Sequence, residues 1–175
     1  MVERKVGNRS IRLVRGDITD LEVDAFVFDI TDDAKLGSGY GGAIARRGGP
    51  AVQKELDAIG RCPKGSAVVT TAGQMKARHI IHVNGPKFNE PETEAKLRSA
   101  IRAALAAADT KGVGTLALPP VGTGLYQVPL DLCARVMLAE VEKDLQGKTG
   151  LEQVLLVAND SREYGPLAAA FQQGA

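Results

Sequence analysis

The feature of this chain that most limits its fold is an alternation between two hydrophobic periods. Short apolar and β-branched runs, Ile11 to Val14, Ala25 to Phe28, Ala67 to Thr71, His79 to Val83, Thr115 to Leu118 and Val154 to Val157, are bounded by Gly, Asp, Asn or Pro and read as strands. Between them, Leu97, Ile101, Ala104, Leu105 and Ala108 fall at helical spacing, as do Leu130, Ala134, Met137, Val141 and Leu145. Asn89, with Glu92 three residues later and Pro91 between them, predicts a helix start near residue 90. Pro129 takes the first-turn place of the next helix, and Pro166 opens or interrupts a last helix that carries Leu167 to Phe171. Strands alternating with helices indicate an α/β sandwich around a largely parallel or mixed sheet. No linker, repeat or low-complexity run divides the 175 residues, so a single domain over 1–175 is expected.

Charge and cysteine usage then exclude several classes of function. The balance of 22 Lys and Arg against 21 Asp and Glu gives no broad positive field, so non-specific nucleic-acid binding is not expected. Any bound anion must be held locally. Cys62 and Cys133 lie far apart without a CxxC or paired His spacing, which supports neither a zinc site nor a disulfide; a catalytic Cys is a minor alternative. Free thiols fit a reducing compartment. The start of the chain, MVERKVGNRS, has no apolar leader, and no stretch approaches the ~18 apolar residues of a membrane span. A cytoplasmic protein with no membrane partner and no cofactor is the expectation.

The 20 glycines concentrate the remaining information. Gly37, Gly39, Gly41 and Gly42 follow the strand ending near Phe28, and Gly122 and Gly124 follow the strand ending at Leu118. In an open α/β sheet ligands bind beyond the carboxyl ends of the strands. Two glycine loops there can offer backbone N–H groups to a diphosphate without any Lys or Arg. Taken literally, Gly37-Ser38-Gly39-Tyr40-Gly41-Gly42 satisfies the dinucleotide fingerprint G-x-G-x-x-G. That motif needs its first glycine at the strand's end, and here Asp29 to Leu36 intervene. Neither loop carries the G-K-[ST] ending of a Walker loop. Turns and close packing remain the bland reading of either loop alone, and their joint position weakens it.

The residues in order resemble the macro domain family, the ADP-ribose-binding α/β/α module. Gly16-Asp17-Ile18-Thr19 matches its G-D-I-T, and Val23-Asp24-Ala25-Phe26-Val27 its V-D-A-I-V. Gly42-Ala43-Ile44 with Gly48-Gly49-Pro50 matches G-A-I…G-G-P, and Ile80-Ile81-His82-Val83-Asn84-Gly85-Pro86 matches I-I-H-x-x-G-P. Leu118-Pro119-Pro120-Val121-Gly122-Thr123-Gly124-Leu125-Tyr126 is similar to the family's phosphate loop. The resemblance implies a three-layer α/β/α sandwich with a central mixed six- or seven-stranded sheet. It implies that Asp17 accepts from the adenine amino group, with the Ile18 backbone beside the base. The loop of Gly37, Ser38, Gly39, Tyr40, Gly41, Gly42, Ala43 and Ile44 would wrap the diphosphate and distal ribose. Val121, Gly122, Thr123, Gly124, Leu125 and Tyr126 would hold the phosphates from the other side.

Departures from the family pattern bear on activity. Family hydrolases carry N-A-A-N after V-D-A-I-V, and here the aligned residues are Phe28-Asp29-Ile30-Thr31, so Thr31 takes the place of the Asn that orients the distal ribose. The Asp that precedes G-A-I in many members is Gly41, which has no base to offer. The aromatic many members use to stack on adenine is absent from Val157-Ala158-Asn159-Asp160, which leaves Asn159 at that edge. Non-catalytic macro-histone modules also lack the pair and place basic residues before G-G, as in Arg46-Arg47-Gly48-Gly49, and are the nearest comparison. The leading expectation is therefore a binding module for ADP-ribose, an ADP-ribosylated molecule or a related nucleotide. A hydrolase or O-acetyl-ADP-ribose deacetylase using Asp32, Asp33 or Lys35 is the alternative, against a plain solvated acidic turn. A degenerate member with another ligand is the third reading, because Asp29 and Asp33 add negative charge where a diphosphate would lie. His82 reads as a hydrogen-bonded strand residue and His79 as exposed; Tyr40 and Tyr126 could cover the ribose or phosphates.

Overall fold

The computed structural model describes residues 2–37, 40–124 and 126–173, with only the backbone of Tyr40. Ser38, Gly39 and Leu125, named above as ligand-binding candidates, lie outside the described residues, as does the side chain of Tyr40. The strands are β1 (Glu3–Val6), β2 (Arg9–Arg15), β3 (Ala25–Asp29), β4 (Ala67–Thr71), β5 (His79–Val83), β6 (Thr115–Leu118) and β7 (Gln153–Ala158). The helices are α1 (Tyr40–Gly48), α2 (Pro50–Ile59), α3 (Thr93–Thr110), α4 (Leu130–Gln146) and α5 (Ser161–Gln173). The strands form one seven-stranded sheet in the order β1-β2-β7-β6-β3-β5-β4. Pairs β2–β7, β7–β6, β6–β3 and β3–β5 are parallel, whereas β1–β2 and β5–β4 are antiparallel at the edges. This is the mixed sheet of an α/β sandwich, as the alternating pattern predicts.

Alternation along the central strands divides the core in two. Ala25, Val27, Ile81, Val83, Leu116 and Leu118 project to one face, where they pack with Leu97 and Ile101 of α3, Met137 and Val141 of α4, and Phe171 of α5. Phe26, Ile80, Ala117 and Val157 project to the other, against Ile44 of α1 and Val52 and Leu56 of α2. Ala25, Phe26 and Val27 are fully buried because β3 is covered on both sides. Beyond packing, the Glu140 carboxylate of α4, nearly buried, accepts from Arg102 Nε at 2.8 Å and Arg98 Nη1 at 3.2 Å of α3. Two solvent-reaching cations thereby compensate one desolvated anion.

Several boundaries differ from the sequence expectation. Helix α3 begins at Thr93, not near residue 90, because Glu92, its N-cap, takes a left-handed conformation with φ 57° and makes no side-chain capping bond. Thr93 Oγ1 lies 2.8 and 2.7 Å from the carbonyls of Phe88 and Glu90 and ties down that turn. Pro129 caps α4 from outside, one residue before Leu130. Pro166 lies inside α5, which opens at Ser161. The larger correction concerns the first glycine segment. From Tyr40 onward it is helix α1 and not loop, so Gly41, Gly42, Ala43 and Ile44 belong to a regular element. His82 is buried with its Nε2 hydrogen-bonded to Thr70 Oγ1 at 2.9 Å, as expected of a strand residue, while His79 is only half-exposed.

Candidate functional site

The parallel order places the ends of β2, β3, β6 and β7 side by side, and the segments leaving them enclose a cavity of about 690 Å³. Gly16 and Ile18 come from the β2 exit, Phe28 to Thr31 with Asp33, Lys35, Leu36 and Gly37 from β3, Pro119, Pro120, Thr123, Gly124 and Tyr126 from β6, and Asn159 with Glu163 from β7. Gly41, in the first turn of α1, completes that wall. Such a volume at the carboxyl edge of an α/β sheet fits a nucleotide-sized ligand.

The expected site residues divide into those the cavity exposes and those it does not. Ile18, Thr31, Gly37, Gly41, Thr123, Gly124, Tyr126 and Asn159 line it, and so do Asp33 and Lys35. Asp17 stands between two lining residues and is turned to its own turn: its Oδ1 accepts from Thr19 N at 2.9 Å and Thr19 Oγ1 at 2.6 Å. Its Oδ2 lies 3.3 Å from Arg47 Nη1, and Arg47 also pairs with Asp20. The Ile44 side chain is fully buried among the α1–α2 core residues, and Val121 is likewise buried. Gly42 and Ala43 follow Gly41 along α1 away from the cavity lining, and Gly122 contributes through its backbone amide, described below.

The acidic turn after β3 is engaged with neighbours. Thr31 Oγ1 donates to Asp33 at 2.6 Å, which holds the Asp33 carboxyl below the usual range. Asn84 Nδ2 donates to Asp32, and Lys35 Nζ pairs with Asp57 at 2.6 Å. Tyr126 donates its hydroxyl to Asn84 Oδ1 at 3.1 Å and carries Lys64 Nζ 4.9 Å above its ring. Tyr126, Thr31 and Asp33 also border a second cleft of about 630 Å³ with Asp32, Lys64 and Lys87. Gly41 has no space for a side chain: a Cβ there would lie 1.6 Å from the Leu36 carbonyl oxygen. Among the described residues no group of three or more His, Cys, Asp or Glu converges to hold a metal, and no helix is long and apolar enough to cross a membrane.

Sequence reasoning omitted part of the wall. Phe28, Leu36, Pro119, Pro120, Val157, Arg162 and Glu163 border the cavity although they were not among the site candidates. For the last two a signal existed in Asp160-x-x-Glu163. Asp160 Oδ1 accepts from Glu163 N at 3.0 Å, and Glu163 Oε1 accepts from Asn159 N at 2.7 Å. That reciprocal pair starts α5 at the cavity's rim.

The sequence profile of the Macro domain matches residues 31–137. A protein of Saccharolobus solfataricus is 38% identical, with 92% of each chain covered, and a macro domain-containing protein of Streptomyces coelicolor is 39% identical over 91% of this chain and 96% of its own. The chain belongs to the Macro domain family. Among solved structures, the Oceanobacillus iheyensis macrodomain with ADP superposes with a TM-score of 0.91 at 24% identity, covering 98% of this chain and 94% of that one. The Trypanosoma brucei macrodomain in complex with ADP-ribose superposes at 0.85 with 30% identity, covering 91% and 68%. In this member of the Macro domain family, Thr31 is spent on Asp33, and Gly41 is pressed against the Leu36 carbonyl.

Proposed function

We propose that the chain is a binding module for ADP-ribose, or for an ADP-ribosyl group or related nucleotide carried on another molecule. The observation that carries this reading is the cavity of about 690 Å³ at the carboxyl ends of β2, β3, β6 and β7, walled on two sides by glycine-bearing backbone. The adenine would lie toward Gly16 and Ile18. There Asp17 Oδ1 is saturated by Thr19, and Oδ2, screened by Arg47, keeps lone pairs for an exocyclic amine. The diphosphate would pass between Gly37 with the first turn of α1 and Thr123 with Gly124. The first turn of α1 carries no acidic residue, so its amide end presents positive charge to an anion. The ADP-ribose complex of the Trypanosoma brucei relative supports the ligand class.

Binding without turnover is favoured by the state of the polar groups. Asp32, Asp33 and Lys35, the replacements a hydrolytic alternative needs, already have partners at hydrogen-bond distance, and a carboxyl held low is a poor base. Calorimetric titration with ADP-ribose tests the reading, and absence of heat at millimolar ligand would sink it. Asp17→Ala should weaken ADP-ribose by about tenfold, the worth of a charged hydrogen bond, and weaken its hypoxanthine analogue much less. Release of ADP-ribose from a mono-ADP-ribosylated protein, lost in Asp33→Ala or Lys35→Ala, would reverse the order in favour of an enzyme.

A further inference from the structure

Where β3 ends, the chain sets a carboxylate of its own against the loop that follows β6. Asp29 borders the cavity, and its two oxygens lie 3.1 and 3.0 Å from the Gly122 amide nitrogen. The direction of that amide is fixed. Gly122 is buried with φ 78°, its carbonyl accepts from Val128 N at 3.0 Å, and a Cβ would stand 3.1 Å from the Val128 side chain. A backbone N–H in a glycine turn is the kind of donor that otherwise meets a phosphate oxygen. At Gly122 it is already given to an internal anion.

The remainder of the carboxylate is available to a ligand. The one N–H, shared between both oxygens, uses two of roughly four lone-pair sites. Among the described residues Asp29 makes no ion pair; Lys35 is held by Asp57 and Arg162 by Glu163 at 3.6 Å. Lost hydration pushes the Asp29 carboxyl up to about 6, and above that pH it is a charged acceptor.

We propose that Asp29 is a specificity-determining residue: it fills the anion place beside Gly122, so the part of the ligand that lies against it bears hydroxyl donors, as a ribose does, and not a phosphate. This rests on the reading of the cavity as an ADP-ribosyl site and assigns an orientation within it. The diphosphate is displaced toward Thr123, Gly124 and the α1 side, and ligands that would set a phosphate at Gly122 are discriminated against by charge.

The test uses the whole chain at pH 8 as wild type, Asp29→Ala and Asp29→Asn, with inorganic pyrophosphate followed at the Gly122 amide resonance and ADP-ribose followed by calorimetry. In Asp29→Ala the freed amide should shift on pyrophosphate addition, and ADP-ribose, having lost the charged acceptor for its ribose hydroxyls, should bind about tenfold more weakly. Asp29→Asn, which keeps an acceptor for the amide but not the charge, should leave Gly122 silent and bind ADP-ribose with intermediate affinity. An equal pyrophosphate response in wild type, or none in any form, overturns the proposal. Equal ADP-ribose affinity in all three forms also overturns it, and leaves the binding reading intact. A pyrophosphate response confined to Asp29→Ala, with ADP-ribose bound by none, supports the role of Asp29 and removes the ADP-ribose reading.

Discussion

His82 illustrates how a single buried group sets the acid limit of the fold. Its ring is 1% exposed, and burial pushes it down to about 4 from an ordinary value of 6.5. The unfolded chain therefore takes up this proton at higher pH than the folded one. Stability is complete above about 6.5 and drains as pH falls toward 4, by about 3 kcal/mol for this group alone. Denaturant titrations at pH 7 and pH 4.5 should show that loss in wild type and a much smaller one in His82→Gln, whose amide can still meet Thr70. Parallel losses in the two proteins would assign the acid sensitivity elsewhere. Glu90 is held down to about 2 by Lys64 and by the Lys87 amide, but it lies on the surface, where solvent screening leaves such pairs little weight.

At the scale of elements, legibility followed the contrast between neighbours. The strands β4, β5 and β6 coincide with their predicted bounds because each is a β-branched or apolar run cut off by Gly, Asn or Pro. Strand β1 went unread: Glu3, Arg4 and Lys5 are all charged, and only the structure shows exposed Glu3 and Lys5 alternating with half-buried Arg4 and Val6, as in an antiparallel edge strand facing solvent. Helix α1 went unread for a different reason. Tyr40-Gly41-Gly42 has low helix propensity, and the burial of Ile44 in the core offsets it. Helix α5 hides its start in the reciprocal bonds of Asp160 and Glu163. Asp160→Ala should cost about 1 kcal/mol, and amide exchange should rise in the first turn of α5 and at Asn159 while the β3 amides stay protected. Uniform loss of protection would mean that this turn is not an independent cap.

Across the whole molecule, the sheet order decides which distant residues become neighbours, and that is where the candidate site exceeded what sequence could convey. Motif position indicated the glycine walls. It could not indicate that Asp29 reaches 93 positions along the chain to the Gly122 amide, because that contact exists only through the parallel pairing of β3 with β6. Nor could spacing reveal that Ile44 is core or that Asp17 shares its carboxylate with Arg47 across 30 positions.

The two-sided core also places one thiol in each layer. Cys62 packs with the α1–α2 residues and Cys133 with the α3–α4–α5 residues, both are fully buried, and burial pushes both thiols up from their ordinary value. Alkylation of either in the native protein must wait for its own side of the sheet to open. Pulse labelling in mild denaturant followed by peptide mass spectrometry should modify both at one rate if the layers separate together. Faster modification of Cys62 would mean that the shorter helices peel away first, so the chain carries a built-in clock for each half of its interior.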